Sequence, residues 1–308
     1  MRVFVTGATG VVGRRAVPLL VAAGHEVTAV GRNPEKRRQL ERAGALSVAL
    51  DLFLRDDVQS AVAGHDAVVN LATHIPPGMQ TLVPWLWREN DRVRKVGSAI
   101  LSEAARAGGV GRFIQESFAP IYPDFGDRWI DESTPLEPVR FNRSVLDAER
   151  SAEQFRVGGG AGIVLRFGAF YGPDADHVLD LIKMIRRGWA AMPGPSQSFV
   201  SSVSHDDAAS AVVGALEAPS GTYNVVDDEP LTHRDYVDAL AAALGVPAPQ
   251  LPPAWAARLF GPVGQLLARS LRISNGKLKR ETGWQPKYPS VREGWRAVVA
   301  ELSAAKAA

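Results

Sequence analysis

The chain has 308 residues, of which 46% are hydrophobic and 22% are charged, with a formal net charge of +2 and no cysteine. This length fits one large domain or two modest ones with a full hydrophobic core, and the ordinary charged fraction excludes wholesale disorder. The lack of cysteine excludes disulfides, thiolate metal sites and cysteine nucleophiles, and the histidines show no metal-ligand spacing. Because the chain has no membrane-length apolar run, no signal sequence and only a mild positive charge, we expect a cytoplasmic protein without membrane or nucleic-acid partners.

Residues 1–170 alternate short, apolar, β-branched runs with amphipathic stretches that end at glycine. Apolar strands joined by helices are typical of a parallel sheet covered on both faces, so we predict an α/β fold with a doubly wound parallel sheet. The predicted strands are residues 2–6, 26–30, 46–50, 67–71, 112–115 and 162–166, and the predicted helices are residues 11–23, 34–43 and 91–107.

After residue 173 the pattern changes to short segments separated by connectors rich in proline and glycine. The predicted segments are 178–187, 199–203, 223–226 and 235–244, and Thr232 with Asp235 has the spacing of a capping pair for the last of these. We expect residues 1–173 to form the larger domain and residues 174–308 a smaller, mixed α/β lobe on the substrate side that is not a separate folding unit, with a chain crossing between the two as an open alternative.

A glycine-rich motif follows the first predicted strand and opens the first predicted helix. It reads Thr6-Gly7-Ala8-Thr9-Gly10-Val11-Val12-Gly13. In a dinucleotide site the first glycine permits the tight turn, the second lets backbone N–H groups approach a pyrophosphate, and the third allows close packing of helix and strand. The helix N-terminus supplies further N–H donors and a partial positive charge. An ordinary strand–helix turn is the alternative, but the strand, turn, helix and second strand are all present in order.

The end of the second strand indicates which dinucleotide is preferred. Sites that prefer NAD place a carboxylate here to bind the ribose 2′-hydroxyl. This chain instead has Gly31 and Arg32, with Lys36 and Arg37 one turn later, so a 2′-phosphate would meet guanidinium and ammonium groups. The pattern predicts NADP(H) over NAD(H), and an ordinary exposed arginine is the alternative.

Further segments occur in the chain order of one known family. They are Asp51-Leu52, Asn70-Leu71-Ala72, Asn90, Leu165-Arg166 with Tyr171-Gly172-Pro173, Asp206-Asp207-Ala208-Ala209, and Gly221-Thr222-Tyr223-Asn224-Val225. Together with the glycine motif they resemble the extended short-chain dehydrogenases/reductases of the NAD-dependent epimerase/dehydratase type, over most of the chain. The resemblance implies a Rossmann-type fold in which Asp51 and Leu52 flank the adenine and Leu71 and Ala72 line the ribose and nicotinamide side. It also implies a homodimer that pairs through the helices near residues 91–107 and 143–157.

The chain departs from this family at the catalytic positions. The family uses Tyr-x-x-x-Lys with a Ser or Thr, because the Lys lowers the pKa of the phenol that exchanges a proton with substrate. The resemblance places Phe141 at the Tyr position, Val145 at the Lys position and Phe118 at the hydroxyl position. No tyrosine of the chain is followed four residues later by lysine, so the loss does not depend on the alignment.

Other residues are then candidates for proton transfer and substrate binding. If the fifth strand stays extended, Glu116 points to the same side as Phe118 and could act as an acid or base, although an ion pair with Arg112 or Arg143 is the favoured alternative. Tyr122 is a second candidate proton donor, with simple packing as its alternative.

The candidate substrate contacts are His74, Ser117, Phe118, Phe141 and Tyr171. Their aromatic character predicts a hydrophobic substrate. His74 as a structural histidine and Ser117 as a partner of backbone remain open alternatives.

Three functions are compatible with these residues. The first is an NADPH-dependent oxidoreductase acting on a small, rather hydrophobic metabolite with a non-standard proton donor. The second is a catalytically silent NADP(H)-sensing regulator, and the third is a cyclase or isomerase that keeps the cofactor without redox turnover. We favour the first, because both the substrate lobe and the complete glycine turn are present.

Overall fold

A computed structural model describes residues 1–76, 80–81 and 83–307 of the chain. Its strands are β1 (Arg2–Thr6), β2 (Glu26–Val30), β3 (Leu46–Val48), β4 (Ala67–Asn70), β5 (Arg112–Phe118), β6 (Trp129–Ile130), β7 (Ala161–Phe167), β8 (Ala169–Tyr171), β9 (Phe199–Val200), β10 (Ser202–Ser204), β11 (Gly221–Val225), β12 (Leu231–Thr232) and β13 (Arg272–Ile273).

The α-helices are α1 (Gly13–Ala22), α2 (Pro34–Arg42), α3 (Arg55–Val62), α4 (Arg88–Arg92), α5 (Ser98–Ala107), α6 (Val145–Val157), α7 (Asp176–Ile185), α8 (His205–Gly214), α9 (His233–Leu244), α10 (Gly261–Leu267), α11 (Gly276–Thr282) and α12 (Val291–Ala307). Short 3₁₀ turns occupy Pro84–Trp87, Ala119–Ile121, Arg140–Asn142 and Ala254–Phe260, and a π-helical turn spans Val93–Gly97. Within the described residues, no helix is both long enough and apolar enough to cross a membrane.

The central element is a seven-stranded sheet in the order β11-β7-β5-β4-β1-β2-β3, and every neighbouring pair is parallel. Apolar residues of α1, α2 and α8 form a core with one face of the sheet, and those of α3, α5 and α6 form a core with the other. This three-layer arrangement confirms the predicted Rossmann-type α/β fold. The carboxyl ends of the strands therefore meet along one edge, where ligands bind in such sheets.

Several predicted boundaries were wrong. β5 extends to Phe118 and β7 runs from Ala161 to Phe167, because both are interior strands with partners on each side and remain paired beyond their apolar runs. α3 was not predicted, since only Val58 and Val62 of this short, polar helix are buried. The predicted helix over residues 91–107 is divided into α4, the π-helical turn and α5.

The chain does not divide into independent units at residue 173. β11, from the C-terminal part, pairs with β7 as the edge strand of the central sheet, and α8 shares a hydrophobic core with α1. Only part of the C-terminal region forms a core of its own, which is built around α7, α9 and α12. The predicted capping pair before α9 is confirmed, because the Thr232 hydroxyl accepts a hydrogen bond from the Asp235 N–H at 3.1 Å.

Candidate functional site

The turn between β1 and α1 can be built only with glycine at its first and last positions. Gly7 has a φ of +66°, and a Cβ there would lie 2.2 Å from the Leu71 carbonyl oxygen. A Cβ on Gly13 would lie 2.3 Å from the Gly7 carbonyl oxygen. The Gly10 N–H donates to that same oxygen at 3.0 Å and tightens the turn. The N-terminus of α1 is thereby held directly behind the end of β1, as a pyrophosphate site requires.

A buried asparagine fixes the ends of the strands beside this turn. The Asn70 Oδ1 accepts hydrogen bonds from the Thr6 hydroxyl at 2.6 Å and from the Ala72 N–H at 3.2 Å. Its amide donates to the Ser98 hydroxyl at 3.0 Å and to the Gln115 Oε1 at 2.8 Å. One side chain thus joins β1, β4, β5 and α5 at the edge where the cofactor would lie.

A cavity of about 250 Å³ lies against this edge. Most of the residues predicted to hold the cofactor line it together with the candidate His74: Thr6, Gly7, Thr9, Gly10, Arg32, Lys36, Asp51, Leu52, Leu71 and Ala72. The cavity lining does not include Val11, Val12 or Gly13. Val12 is buried in the core that α1 forms with the sheet, and Gly13 packs against the backbone of the Gly7 turn.

Sequence analysis missed six lining residues: Val30, Leu50, Phe53, Thr73, Glu89 and Val93. Val30 is the last residue of β2, and Leu50 and Phe53 flank the predicted Asp51-Leu52 pair. All three could have been predicted, because ligands bind at the carboxyl ends of the strands in such sheets. Glu89 and Val93 come from α4 and the π-helical turn, and no local pattern in the sequence points to them.

The cavity has a cationic end. Arg32 and Lys36 are exposed there, and neither forms an ion pair with any residue that the structure describes. Asn33 caps α2 by accepting hydrogen bonds from the N–H groups of Glu35 and Lys36 at 2.9 and 3.1 Å, which fixes the backbone that carries both cations. Arg37 does not line the cavity, because its stem packs at Gly31, where a Cβ would lie 2.8 Å from the Arg37 Cγ.

Glu116 is buried in an ion pair rather than facing the cavity. Its carboxylate lies 3.2 Å from Nη2 of Arg94, and the two side chains are 9% and 3% exposed. The partner is neither Arg112 nor Arg143, because the π-helical turn brings Arg94 in from a segment distant in sequence. A carboxylate held in this way serves the scaffold, so the structure does not support Glu116 as the acid or base.

The Tyr122 side chain is likewise buried and hydrogen-bonded to other side chains. Its ring is fully buried, its hydroxyl accepts from Nη1 of Arg166 at 2.8 Å, and it donates to Oδ1 of Asn224 at 2.9 Å. Burial raises the pKa of Tyr122 to about 12, although Arg166 opposes this rise. The phenol has no access to the cofactor cavity, so the structure does not support Tyr122 as a proton donor.

Ser117 belongs to the same buried network and does not reach the cavity. Its hydroxyl donates a hydrogen bond to Oε1 of Glu149 at 2.5 Å. The Glu149 carboxylate also accepts hydrogen bonds from Nε and Nη2 of Arg166, at 2.8 and 2.7 Å. The structure therefore does not support the predicted substrate contact at Ser117. The hydroxyl binds the Glu149 side chain, not backbone and not an open pocket.

The remaining candidate substrate contacts separate into two groups. His74 lines the cavity, and its N–H donates to Oδ1 of Asn90 at 3.0 Å; Phe118 and Phe141 are half-buried near the end of β5 and the start of α6. Tyr171 is buried in the C-terminal core with its ring 5.0 Å from that of Trp295, so it does not reach the cofactor cavity.

At the family's lysine position, Val145 is completely buried. No cluster suited to a metal ion occurs among the described residues.

Comparisons with known proteins agree with this geometry. A family model described as NAD(P)H-binding matches residues 7–169. The "3-diazoavenalumate denitrifying reductase" of a Streptomyces species is 33% identical over 96% of this chain and 99% of its own.

Two solved structures share the whole fold. UDP-glucose 4-epimerase of Thermus thermophilus in complex with NAD has a TM-score of 0.80 at 27% identity, covering 99% of this chain and 100% of its own. Human epimerase family protein SDR39U1 with NADPH has a TM-score of 0.79 at 21% identity, covering 98% and 100%.

The two buried tyrosines give a first prediction. Tyr122→Phe should lower the free energy of unfolding by about 1–3 kcal/mol, because it deprives buried Arg166 and Asn224 of a partner. Tyr171→Phe is the matched control, since its buried hydroxyl makes no hydrogen bond to the described residues and its loss should leave stability unchanged or higher. Urea denaturation measures both, and equal effects of the two substitutions would contradict the assignment.

The Arg94–Glu116 pair gives a second prediction. Glu116→Ala should lower the free energy of unfolding by about 3–5 kcal/mol, because it leaves the Arg94 guanidinium buried without a counter-charge. Arg94→Met combined with Glu116→Leu should recover most of the loss, since apolar groups of similar volume can replace a buried pair. A Glu116→Ala protein with wild-type stability in urea would show that the pair is not structural.

Proposed function

The chain belongs to the NAD(P)H-binding family, as an atypical, epimerase-like relative of the short-chain dehydrogenases/reductases, and from this premise we propose that it is an NADPH-dependent reductase that needs no proton from the protein. The proposed substrate is a small, rather hydrophobic aryl compound. One observation carries the proposal. The cavity has a complete glycine turn for a dinucleotide, whereas the family's Tyr, Lys and hydroxyl positions hold Phe141, Val145 and Phe118, and Glu116 and Tyr122 are bound to other side chains.

The residues of the cavity fit NADP(H). The Gly7–Gly10 turn and the N-terminus of α1 would hold the pyrophosphate, and Asp51, Leu52 and Phe53 would flank the adenine. Arg32 and Lys36, which pair with no acid among the described residues, would supply charge-assisted hydrogen bonds to a 2′-phosphate. Gly31 and Arg32 stand after β2, at the place where a carboxylate would repel that phosphate.

The same residues restrict the chemistry that can follow. Phe118, Phe141 and Val145 offer no proton, Glu116 is neutralised by Arg94, and the phenol of Tyr122 is enclosed by its two partners. A reaction that adds hydride to a ketone needs a proton at the developing alkoxide, and none of these five positions supplies one. A substrate that accepts hydride without protonation is the better match.

An aryl diazonium ion is such a substrate, and the denitrifying reductase relative acts on a diazo compound by name. When bound, NADPH supplies a hydride, and hydride addition to an aryl diazonium ion yields the arene and N₂ with no proton required. The half-buried rings of Phe118 and Phe141 would hold the aryl group and exclude water, which otherwise converts diazonium ions to phenols.

The homodimer implied by the resemblance stays a prediction. The exposed sides of α5 and α6 carry Glu103, Arg106, Arg150 and Glu153, so a dimer that pairs through these helices would have a polar interface. The cytoplasmic location likewise stays a prediction.

Cofactor preference gives a third prediction. Arg32→Ala should weaken NADPH binding by about 1.5–3 kcal/mol, the contribution of hydrogen bonds to a charged group, and leave NADH binding nearly unchanged. Arg38→Ala removes an equally exposed charge from α2 outside the cavity and is the matched control. Fluorescence titration with both cofactors measures this, and equal losses for NADPH and NADH would contradict the 2′-phosphate assignment.

Turnover gives a fourth prediction. With a benzenediazonium salt, the protein should oxidise one NADPH for each N₂ released and form benzene rather than phenol. The dependence of kcat/KM on pH should be nearly flat between about pH 5.5 and 7.5, because no protein group has to change its protonation state. The absence of NADPH oxidation with any diazonium salt would favour the silent NADP(H)-sensing regulator, and a sharp bell-shaped pH profile would indicate an acid–base pair.

A further inference from the structure

Two arginines lie in the first turn of α1, directly after the glycine motif. Arg14 and Arg15 follow Gly13, and this turn contains no acidic residue. The N-terminus of a helix carries a partial positive charge, so cations are unfavourable there. The stability of the helix itself therefore does not explain these two charges.

Acidic residues from the C-terminal part of the chain neutralise both arginines. Asp174 forms ion pairs with Arg14 and, at 2.9 Å, with Nη1 of Arg15, and Nε of Arg15 donates to Oδ1 of Asp206 at 3.0 Å. The Asp174 carboxylate also accepts a hydrogen bond from Nδ1 of His205 at 2.8 Å. Burial, more than the nearby arginines, lowers the pKa of His205 to about 3, so this ring is neutral and does not compete as a cation. These ion pairs join α1 to residues 159 and 191 positions later in the chain.

Arg15 differs from Arg14 because it also reaches the glycine motif. Its Nη1 donates to the Val11 carbonyl oxygen at 3.0 Å, whereas Arg14 has only its ion pair with Asp174 within the part of the chain that the structure describes. The Arg15 side chain is 21% exposed and that of Arg14 is 45% exposed. One guanidinium thus holds Val11, Asp174 and Asp206 at the same time.

The contact with Val11 fixes the direction of a backbone donor. The Val11 carbonyl and the Val12 N–H belong to one planar trans peptide unit, in which the two bonds point in opposite directions. The Val12 N–H has no acceptor among the described residues, so it is a free donor at the start of α1, two residues after the cavity-lining Gly10. A pyrophosphate at this helix N-terminus would use such a donor. A guanidinium on the carbonyl side also polarises the peptide unit and strengthens the donor.

From this geometry we infer that Arg15 is a positioning residue for the pyrophosphate of the cofactor. Arg15 does not line the cofactor cavity, so it acts through the Val11–Val12 peptide unit. Its ion pairs with Asp174 and Asp206 make the direction of the Val12 N–H depend on the C-terminal part of the chain. The inference rests on the proposed function, because it concerns the same cofactor, and it extends that function by naming the residue that orients a pyrophosphate donor.

Binding of whole and partial cofactors tests this role. In the full chain, Arg15→Met should weaken NADPH and NADH by the same factor, at least about threefold, because both contain the pyrophosphate. Adenosine 2′-monophosphate, which has no pyrophosphate, should bind as it does to the wild type. Arg14→Met is the matched control, since it removes a neighbouring charge and the same Asp174 partner without touching Val11, and it should leave all three affinities nearly unchanged. Fluorescence titration measures this, and equal losses in the two variants, or weaker binding of adenosine 2′-monophosphate to Arg15→Met, overturn the inference.

A second variant separates geometry from charge. Arg15→Lys keeps the positive charge, but a single ammonium lacks the planar fork that reaches Val11, Asp174 and Asp206 together. This variant should therefore also lose NADPH affinity. Wild-type affinity of Arg15→Lys for NADPH would show that only the charge matters and would overturn the positioning role.

Hydrogen exchange tests the turn without any cofactor. Amide exchange within residues 7–13 should be faster in Arg15→Met than in Arg14→Met or the wild type, because the Val11–Val12 unit has lost its support. Faster exchange in a protein that binds no dinucleotide supports the role of Arg15 in the turn and overturns the proposed function. Dinucleotide binding and exchange that are both insensitive to Arg15→Met support the proposed cofactor and overturn this inference.

Discussion

The structure depends on the contact between the glycine turn and the end of β4. Gly7 lies so close to the Leu71 carbonyl that no side chain fits between them, and Asn70 holds this arrangement by bonding Thr6, Ala72, Ser98 and Gln115 at once. A buried amide with all these partners specifies one relative position for β1, β4 and β5. The turn, the N-terminus of α1 and the segment that begins at Leu71 are fixed by the same interaction.

The polar residues next to this hub mostly support the scaffold. Arg94 neutralises Glu116, and Arg166 joins Glu149, Ser117 and Tyr122 into a second buried network. Removing one charged partner from either network would leave the other charge buried without a counter-charge. This lowers the free energy of unfolding far more than replacing both partners with apolar side chains would. Glu116, Ser117 and Tyr122 are therefore committed to structure, and this is the basis for proposing a hydride acceptor that takes no proton from them.

The sequence predicted those features that are determined locally. The glycine turn, the alternation of apolar strands with helices and the cations after β2 all depend on residues close together in the chain, so the fold and most of the cavity lining were foreseeable. The pairing of Arg94 with Glu116 was not, since a π-helical turn interrupts the expected helix. The segment that forms β11 was predicted, but its pairing with β7 was not, because it joins two segments that only the folded chain brings together.

Isotope tracing tests most directly whether hydride from NADPH reaches carbon without a proton from the protein or from solvent. NADPH deuterated at C4 should place one deuterium on the arene carbon that carried the diazonium group. Unlabelled NADPH in ²H₂O should place none. Deuterium entering that carbon from solvent, or a phenol formed without NADPH oxidation, would contradict the account.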